Sequence, residues 1–241
     1  MEKLPISLLF LTTTKGHFGV RDIYSRTLKD WRDKGYLDLF QERLAHIKIS
    51  PEDSNFFEMR GKIEGLYSQN IFSTIKEWAH FQNSHQTGII EDINKLVRNS
   101  SQPYCMILED DWIPYIYKNS FEYYLKRAIE TLEQFKDLVC YRVPRHLDDE
   151  NHFPGTEKWE NFSAQGHLFS NNPCVLRTRD LYMATNLALK NKHLIEQNCE
   201  VGMTYIFKQL VNSEKPFAAF LPSEIRALHI GVPTISEEDQ P

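Results

Sequence analysis

The sequence has few cysteines, and none of them are paired at metal-binding spacing. The chain of 241 residues contains four, and no Cys-x-x-Cys motif is present. A structural zinc site is therefore not expected. Three of the four lie in apolar runs, where a free thiol behaves as a small hydrophobic side chain. This usage favours a reducing compartment, so we expect a cytoplasmic protein.

Long hydrophobic runs and clusters of basic residues are also missing. No stretch of about 20 apolar residues occurs, so no transmembrane segment is expected. The short apolar segment near the N-terminus lacks the flanks of a signal peptide, and we interpret Ile6–Thr12 as the first β-strand. The net charge is -5, and Lys and Arg are not concentrated anywhere, so no nucleic-acid partner is expected.

The sequence motifs of several common enzyme classes are absent. There is no Gly-x-Gly-x-x-Gly fingerprint of a dinucleotide fold and no Gly-Lys-Ser/Thr sequence of a P-loop. A Gly-x-Ser-x-Gly elbow and a recognisable cysteine-protease environment are missing as well. The haloacid dehalogenase pattern requires Asp-x-Asp-x-Thr after the first strand, and this chain does not have it.

What the sequence does contain is an alternation of strand and helix patterns, which predicts an α/β fold. In the first half this order is typical of a nucleotide-binding unit, and no linker separates a second domain. The predicted first-half elements are strand Ile6–Thr12, a helix from Val20 ended by Gly35, strand Ala45–Ile49, a helix from Tyr67 toward Ser84 and helix Ile89–Arg98. The predicted later elements are helix Phe121–Phe135, strand Leu138–Val143, a long polar loop over Arg145–Gly166, strand Cys174–Arg177, a helix from Asp180, helix Glu200–Val211 and strand Phe217–Leu221.

The most informative segment is an apolar run that ends in three carboxylates. Cys105–Leu108 suits a strand covered on both faces, and it is followed by Glu109, Asp110 and Asp111. Alternation along a strand puts Glu109 and Asp111 on one side, about 7 Å apart at Cα, while Asp110 points elsewhere. Adjacent negative charges repel unless water, a base or a cation neutralises them. The triplet predicts a metal site; the alternative is a solvated acidic turn.

The nucleotide-binding first half, the acidic triplet and the segment Ala227–Val232, which contains His229 and Gly231, together resemble the GT-A class of nucleotide-sugar glycosyltransferases. In that class an Asp-x-Asp motif, with Glu-Asp-Asp as a variant, ends a central strand. The resemblance implies an α/β, GT-A-like fold with a Rossmann-like central mixed sheet flanked by helices. It implies one domain over 1–241, with residues 1–113 as the donor half and 114–241 as the acceptor half.

The same resemblance implies a function and a cofactor. The chain would move a sugar from a UDP- or GDP-sugar to a hydroxyl of a glycan or other acceptor, using Mn²⁺ or Mg²⁺. Asp111 would ligate the metal and Glu109 would hold the ribose or the metal's waters. Asp110 would take the middle, more variable role, and His229 would complete the metal shell. A lone His beside a strand can also be structural.

Basic and hydroxyl side chains are candidates for contacts with the donor. Arg21, Lys95 and Arg98 lie on predicted helices where a cation can reach a diphosphate, although each can equally be a surface charge. Thr12 and Thr13 follow the first strand and are candidates for lining the base or ribose pocket. Threonine is also ordinary at a strand end.

A transferase that inverts configuration needs a general base for the acceptor hydroxyl. In the GT-A class this is often an acidic residue at the start of a late helix, which points to Glu200 here, with Glu196 as second choice. Acidic residues also favour helix starts for dipole reasons alone, and an enzyme that retains configuration would not use this base.

Two other functions remain open from the sequence. A metal-dependent phosphodiesterase or nuclease would use the same carboxylates with water as nucleophile, usually with a second metal cluster. A non-catalytic nucleotide-sugar or glycan-binding module would bind ligand without turnover, since a fold does not fix a function.

Overall fold

The computed structural model describes residues 2–13, 23–48, 61, 65, 71–72, 74–78, 85–116, 121–143, 158–160, 168–169, 173–211, 216–220 and 225–229. The helices within these residues are α1 (Ile23–Asp33), α2 (His85–Arg98), α3 (Phe121–Gln134), α4 (Thr178–Lys190) and α5 (Cys199–Leu210). The strands are β1 (Leu4–Thr13), β2 (Phe40–Lys48), β3 (Thr74–Trp78), β4 (Tyr104–Glu109), β5 (Trp112–Ile116), β6 (Leu138–Arg142), β7 (Lys158–Glu160), β8 (Cys174–Arg177), β9 (Phe217–Phe220) and β10 (Ile225–His229).

Eight of these strands form one mixed sheet in the order β3-β2-β1-β4-β8-β6-β9-β7. The first four in this order run parallel to one another, and β8 joins β4 antiparallel. β5 and β10 form a separate antiparallel pair. The carboxyl ends of β1, β2 and β4 therefore lie at the same edge of the sheet, the edge at which open α/β sheets bind ligands.

Alternation along β1 explains why the sheet is covered on both faces. Leu8 and Phe10 belong to a core cluster that includes residues of α1 and α3, whereas Leu9 and Leu11 belong to a cluster with residues of α2, α4 and α5. All four side chains are buried. Successive side chains of a strand point to opposite faces, so a continuous apolar run is what a strand between two helical layers requires. No helix among the described residues is long and apolar enough to cross a membrane.

Several sequence predictions are confirmed at the level of elements. α1 ends at Asp33, and Gly35 adopts a left-handed conformation with φ of 73°, as a glycine terminator should. Its N–H donates to the carbonyl oxygen of Arg32 at 2.8 Å. β8 has the predicted bounds, and α3, α4 and α5 begin within two residues of their predicted starts.

Other element predictions are wrong or incomplete. The helix predicted from Tyr67 toward Ser84 is not present over Thr74–Trp78, which forms strand β3 beside β2. The predicted loop over Arg145–Gly166 contains the short strand β7, which pairs with β9. β5 and β10 were not predicted. All four are short strands whose backbone partners lie far away in the sequence, so local periodicity carries little signal for them.

A close backbone contact fixes the start of α5. A Cβ atom placed on Gly202 would lie 2.2 Å from the carbonyl oxygen of Leu194 and 2.8 Å from Cγ2 of Ile195. Leu194 closes a short 3₁₀ helix, Lys192–Leu194, so glycine lets α5 pack directly on this turn. The contact sets the position of the first turn of α5, which carries Glu200.

We expect Gly202→Ala to lower the free energy of unfolding by about 1–3 kcal/mol, because the added methyl overpacks against the backbone. This effect should exceed the gain of up to about 1 kcal/mol that alanine normally brings to a helix. Urea denaturation of both proteins measures it. Gly61→Ala is the matched control, since Gly61 is exposed and a methyl group added there would have no atom within 4 Å. A Gly202→Ala protein as stable as wild type would contradict the prediction.

Candidate functional site

The three consecutive carboxylates lie at the carboxyl edge of the sheet. β4 ends at Glu109, and Asp110 and Asp111 form a turn that leads into β5 at Trp112. We call Glu109–Asp111 the acidic turn. Because the strand stops at Glu109, the alternation that predicted Glu109 and Asp111 on one side of a strand does not extend to Asp111. Both aspartates are 4% exposed, so this is not a solvated surface turn.

Asp110 is held by hydrogen bonds from two threonines. Thr12 Oγ1 donates to Asp110 Oδ2 at 2.5 Å, and Thr27 Oγ1 donates to the carbonyl oxygen of Asp110 at 2.5 Å. Both threonines are buried. The carboxylate of Asp110 is therefore engaged by the end of β1, and its backbone is engaged by α1.

Glu109 occupies a strongly negative environment. It pairs in register with Leu11 of β1, so it faces the layer formed by α2, α4 and α5. Burial of its carboxyl group raises its pKa well above the ordinary value, and the charges of Asp111, Asp110 and Glu200 raise the pKa further. Carboxylates that repel one another in this way form a site that a cation would stabilise.

Glu200 reaches this environment from the second half of the chain. It lies in the first turn of α5 and is partly buried, whereas Glu196 is exposed. Asn198 caps the helix, its side-chain oxygen accepting from the N–H of Val201 at 3.1 Å. Glu200 is within electrostatic range of Glu109, because its charge contributes to the raised pKa of that residue after burial and the two aspartates.

His229 approaches the acidic turn through its backbone. β10 pairs antiparallel with β5, and the partner of His229 in this register is Trp112, the residue that follows Asp111. The His229 side chain lies outside what the structure describes, as does Gly231. The strand pairing nevertheless brings two positions that are distant in the sequence to the same end of one ribbon.

The other predicted site residues are distributed unevenly. Thr12 lies at the carboxyl end of β1, and Thr13 follows it with a side chain that is not described. Arg21 lies outside the described residues. Lys95 Nζ is 3.9 Å from Oδ1 of Asp92, within α2.

Arg98 is not brought to the acidic turn. It ends α2 and lines a groove of about 1050 Å³ together with Tyr104 and Arg179. Tyr104 begins β4 and Glu109 ends it, so the groove and the acidic turn are separated by roughly 17 Å along the strand. A helix that leads into a strand ends at the amino edge of the sheet, and this direction places Arg98 away from the carboxyl edge.

Two features near this edge were missed from the sequence. Thr27 and Trp31 lie on one face of α1, and both contact the segment containing the acidic turn.

The second feature is a buried pair formed by His46 of β2 and Asp92 of α2, with Nε2 of the histidine 3.1 Å from Oδ1 of the aspartate. His46 pairs in register with Leu11, so it is two strands from Glu109. A histidine between the apolar residues Ala45 and Ile47 of β2 was the available signal.

The carboxylates fit a cation whose remaining ligands come from water and substrate. Among the side chains that the structure describes, no group of three or more His, Cys, Asp or Glu could hold a metal by itself. Asp111 does lie close enough to Glu109 for its charge to raise the pKa of Glu109, after the larger effect of burial. Mg²⁺ and related ions commonly take one or two carboxylates and fill the remaining positions with water and substrate phosphates. The donor set is suited to that arrangement.

No protein-family model matches the chain, and no curated protein matches its sequence. Solved structures do resemble it in fold. A mannosyltransferase from Pyrobaculum calidifontis, in complex with GDP-Man and Mn²⁺, has a TM-score of 0.56 at 9% identity; the alignment covers 97% of this chain and 58% of that protein. A 4-diphosphocytidyl-2C-methyl-D-erythritol synthase from Anaerococcus prevotii has a TM-score of 0.51 at 10% identity, covering 97% of this chain and 94% of that protein.

These likenesses define the class of fold. The chain has a GT-A-like fold, a mixed α/β sheet flanked by helices, and the fold prediction is confirmed. This chain spans 58% of the length of the mannosyltransferase, which is considerably longer.

The raised pKa of Glu109 predicts a pH dependence of stability in metal-free protein. The folded chain keeps the Glu109 proton at pH values where the unfolded chain has lost it, so this group's stabilising effect is present at low pH and is lost as pH rises through the folded pKa. The Tm of Glu109→Gln minus that of wild type should therefore increase as pH rises from 5 to 8. We expect a few °C, since about 1 kcal/mol shifts Tm by roughly 2–4 °C at this chain length.

Circular dichroism melting in the presence of EDTA measures this difference. Glu196→Gln is the control, because Glu196 is exposed, and its curve should run parallel to that of wild type. A Glu109→Gln curve that also runs parallel to wild type would show that Glu109 does not titrate abnormally.

Proposed function

We propose that this protein is a metal-dependent glycosyltransferase that moves a sugar from a nucleotide-sugar donor to an acceptor hydroxyl. One observation carries the proposal. Three segments, the acidic turn, the start of α5 with Glu200 and the end of β10 with His229, converge at the carboxyl edge of β4 in a GT-A-like fold. Ligands of open α/β sheets bind at this edge.

The acidic turn would hold the cation. Asp111 is the proposed direct ligand, Glu109 the residue that holds the ribose or the metal's waters, and His229 the third ligand. Bound Mn²⁺ or Mg²⁺ would neutralise charge that develops on the diphosphate leaving group, and an imidazole ligand shifts the preference toward Mn²⁺. Asp110 supports the turn, because its carboxylate accepts the hydrogen bond of Thr12.

Each half of the chain would bind one of the two substrates. The strands β3, β2, β1 and β4 come from residues 1–113 and lie side by side, so we assign donor binding to this half. The strands β8, β6, β9 and β7 come from residues 114–241, to which we assign the acceptor. Thr13 and Arg21 remain candidates for the donor base and diphosphate. A UDP- or GDP-sugar is proposed as donor, and the GDP-Man bound to the mannosyltransferase makes GDP-sugars the first to test.

Glu200 is the proposed general base. A base must lie near the acceptor hydroxyl, which in turn must approach the sugar carried by the metal-bound diphosphate. The proximity of Glu200 to Glu109 meets that requirement better than exposed Glu196 does. The role applies to an inverting reaction, in which Glu200 accepts the acceptor's proton as the sugar–oxygen bond forms and the sugar–phosphate bond breaks.

A metal-dependent phosphodiesterase and a non-catalytic binding module are the competing functions. The first would show hydrolysis of a nucleotide without an acceptor. The second would show ligand binding with no turnover.

We expect a nucleotide sugar to raise Tm only in the presence of Mn²⁺ or Mg²⁺. A ligand at 100 times its Kd should add about 2.7 kcal/mol to the free energy of unfolding. A thermal-shift panel of UDP-, GDP- and CMP-sugars, each with and without metal, measures this. Asp111→Asn should lose the metal-dependent shift.

The matched control for this panel is Asp137→Asn, because Asp137 is exposed and lies in the groove at the opposite edge of the sheet. It should shift like wild type. If no nucleotide sugar gives a metal-dependent shift, or if Asp111→Asn shifts fully, the transferase proposal fails.

Glu200→Gln should lower kcat by about 10²–10⁴-fold while leaving donor affinity nearly unchanged, because general-base catalysis contributes on this scale. Product formation from the donor identified above, followed by chromatography, measures kcat. Glu196→Gln should retain full activity. Equal activity of Glu200→Gln and wild type would remove the base assignment and favour a retaining reaction.

A further inference from the structure

We propose that Thr27 and Trp31 of α1 are positioning residues that orient the acidic turn and thereby set its affinity for the cation. This inference rests on the proposed function, because it concerns the same cation site. Neither residue belongs to the predicted ligand set, and both act through the backbone.

Two hydrogen bonds from α1 hold the residues on either side of Asp111. Thr27 Oγ1 donates to the carbonyl oxygen of Asp110 at 2.5 Å, and Trp31 Nε1 donates to the carbonyl oxygen of Trp112 at 3.0 Å. Residues four apart lie one above the other on a helix face, so both donors point the same way. The residues on either side of Asp111 are therefore fixed to α1.

Burial makes these two hydrogen bonds effective. The exposed fractions are 0% for Thr27, 1% for Trp31 and 1% for Trp112. Water does not compete for such groups, so each hydrogen bond is a firm link between α1 and the backbone beside Asp111. Removing either donor would loosen that link, and the direction of the Asp111 carboxylate would be less closely set.

The aromatic core makes the support rigid. The ring of Trp31 meets Phe121 edge-on with centroids 5.2 Å apart, and it also packs against Tyr36 and Phe40. Phe121 is the first residue of α3. Trp31 thus ties the acidic turn to a cluster built from α1, α3 and the start of β2, so that its indole N–H has little freedom to move.

Thr12 provides a third hydrogen bond to the turn, from β1 to the side chain of Asp110. With its carboxylate bound by Thr12 and its carbonyl bound by Thr27, Asp110 joins β1 to α1. The middle carboxylate of the triplet then has a structural role, which leaves Glu109 and Asp111 as the cation-facing pair.

The test measures Mn²⁺ affinity by the electron paramagnetic resonance signal of the free ion, well below the melting temperature of each variant. Thr27→Val keeps the shape and removes the hydroxyl, and it should weaken Mn²⁺ binding by about 10–100-fold, the usual effect of losing support behind a metal ligand. Thr27→Ser restores the hydroxyl and should bind close to wild type. Trp31→Phe removes the indole N–H and should weaken binding in the same direction.

Thr131→Val is the matched control. Thr131 is 1% exposed, and its hydroxyl donates to the carbonyl oxygen of Arg127 within α3 at 2.6 Å. This substitution removes a buried hydroxyl of the same kind at a distance from the acidic turn. It should lower Tm without changing Mn²⁺ affinity, and a merely structural role for Thr27 would give the same pattern.

The outcomes separate this inference from the proposed function. If wild type binds Mn²⁺ and Thr27→Val binds it equally well, the positioning role is overturned while the proposed function stands. If wild type binds Mn²⁺ only when GDP is present, the variants are compared under that condition. If wild type binds Mn²⁺ neither with nor without GDP, the proposed function falls and takes this inference with it. Should Thr27→Val fail to fold, Trp31→Phe, which keeps an aromatic ring in the cluster, decides the matter by the same comparison.

Discussion

The crowding of like charges at the end of a buried strand is the constraint on which the site depends. Asp110 and Asp111 are almost fully buried. Burial raises the pKa of Glu109, and the charges of Asp111, Asp110 and Glu200 raise it further. An uncompensated arrangement of this kind opposes folding. Buried Thr12 donates to the carboxylate of Asp110, and buried Thr27 holds the backbone carbonyl of the same residue. Departures from ordinary burial rules that are supported so specifically are typical of functional sites.

The sheet order explains how such a site can be assembled. β4 lies between β1 and β8, so the acidic turn leaves the centre of an eight-stranded sheet and not its margin. From there it is reached by α1 on one face and by α5 on the other. The antiparallel pair β5–β10 is a third element at the acidic turn, because the backbone of His229 pairs with Trp112. Ligand sites at the carboxyl edge of α/β sheets are built in the same manner, from loops and helix starts that a rigid sheet holds in place.

Much of the fold could be predicted because its signals are local. In β1 and β4 a short continuous apolar run indicates a buried strand. In α2 and α3 apolar residues recur at the spacing of a helix with one buried face. The prediction failed for β3, where pairing with β2 supplies what local sequence does not indicate. Arg98 was expected near the diphosphate because it precedes β4 in sequence. The direction of α2 instead carries it to the amino edge.

The order of the residues specifies which chemical groups are available: a strand that ends in three carboxylates, an acidic residue at a late helix start and a glycine that ends α1. Which of these groups meet depends on how the helices and strands pack. Glu200 and the backbone of His229 come to the acidic turn because sheet order and strand register bring distant segments together. Thr27 and Trp31 gained their contacts in the same way. Local periodicity fixes which face of an element is buried, whereas the packing of whole elements fixes what that face touches.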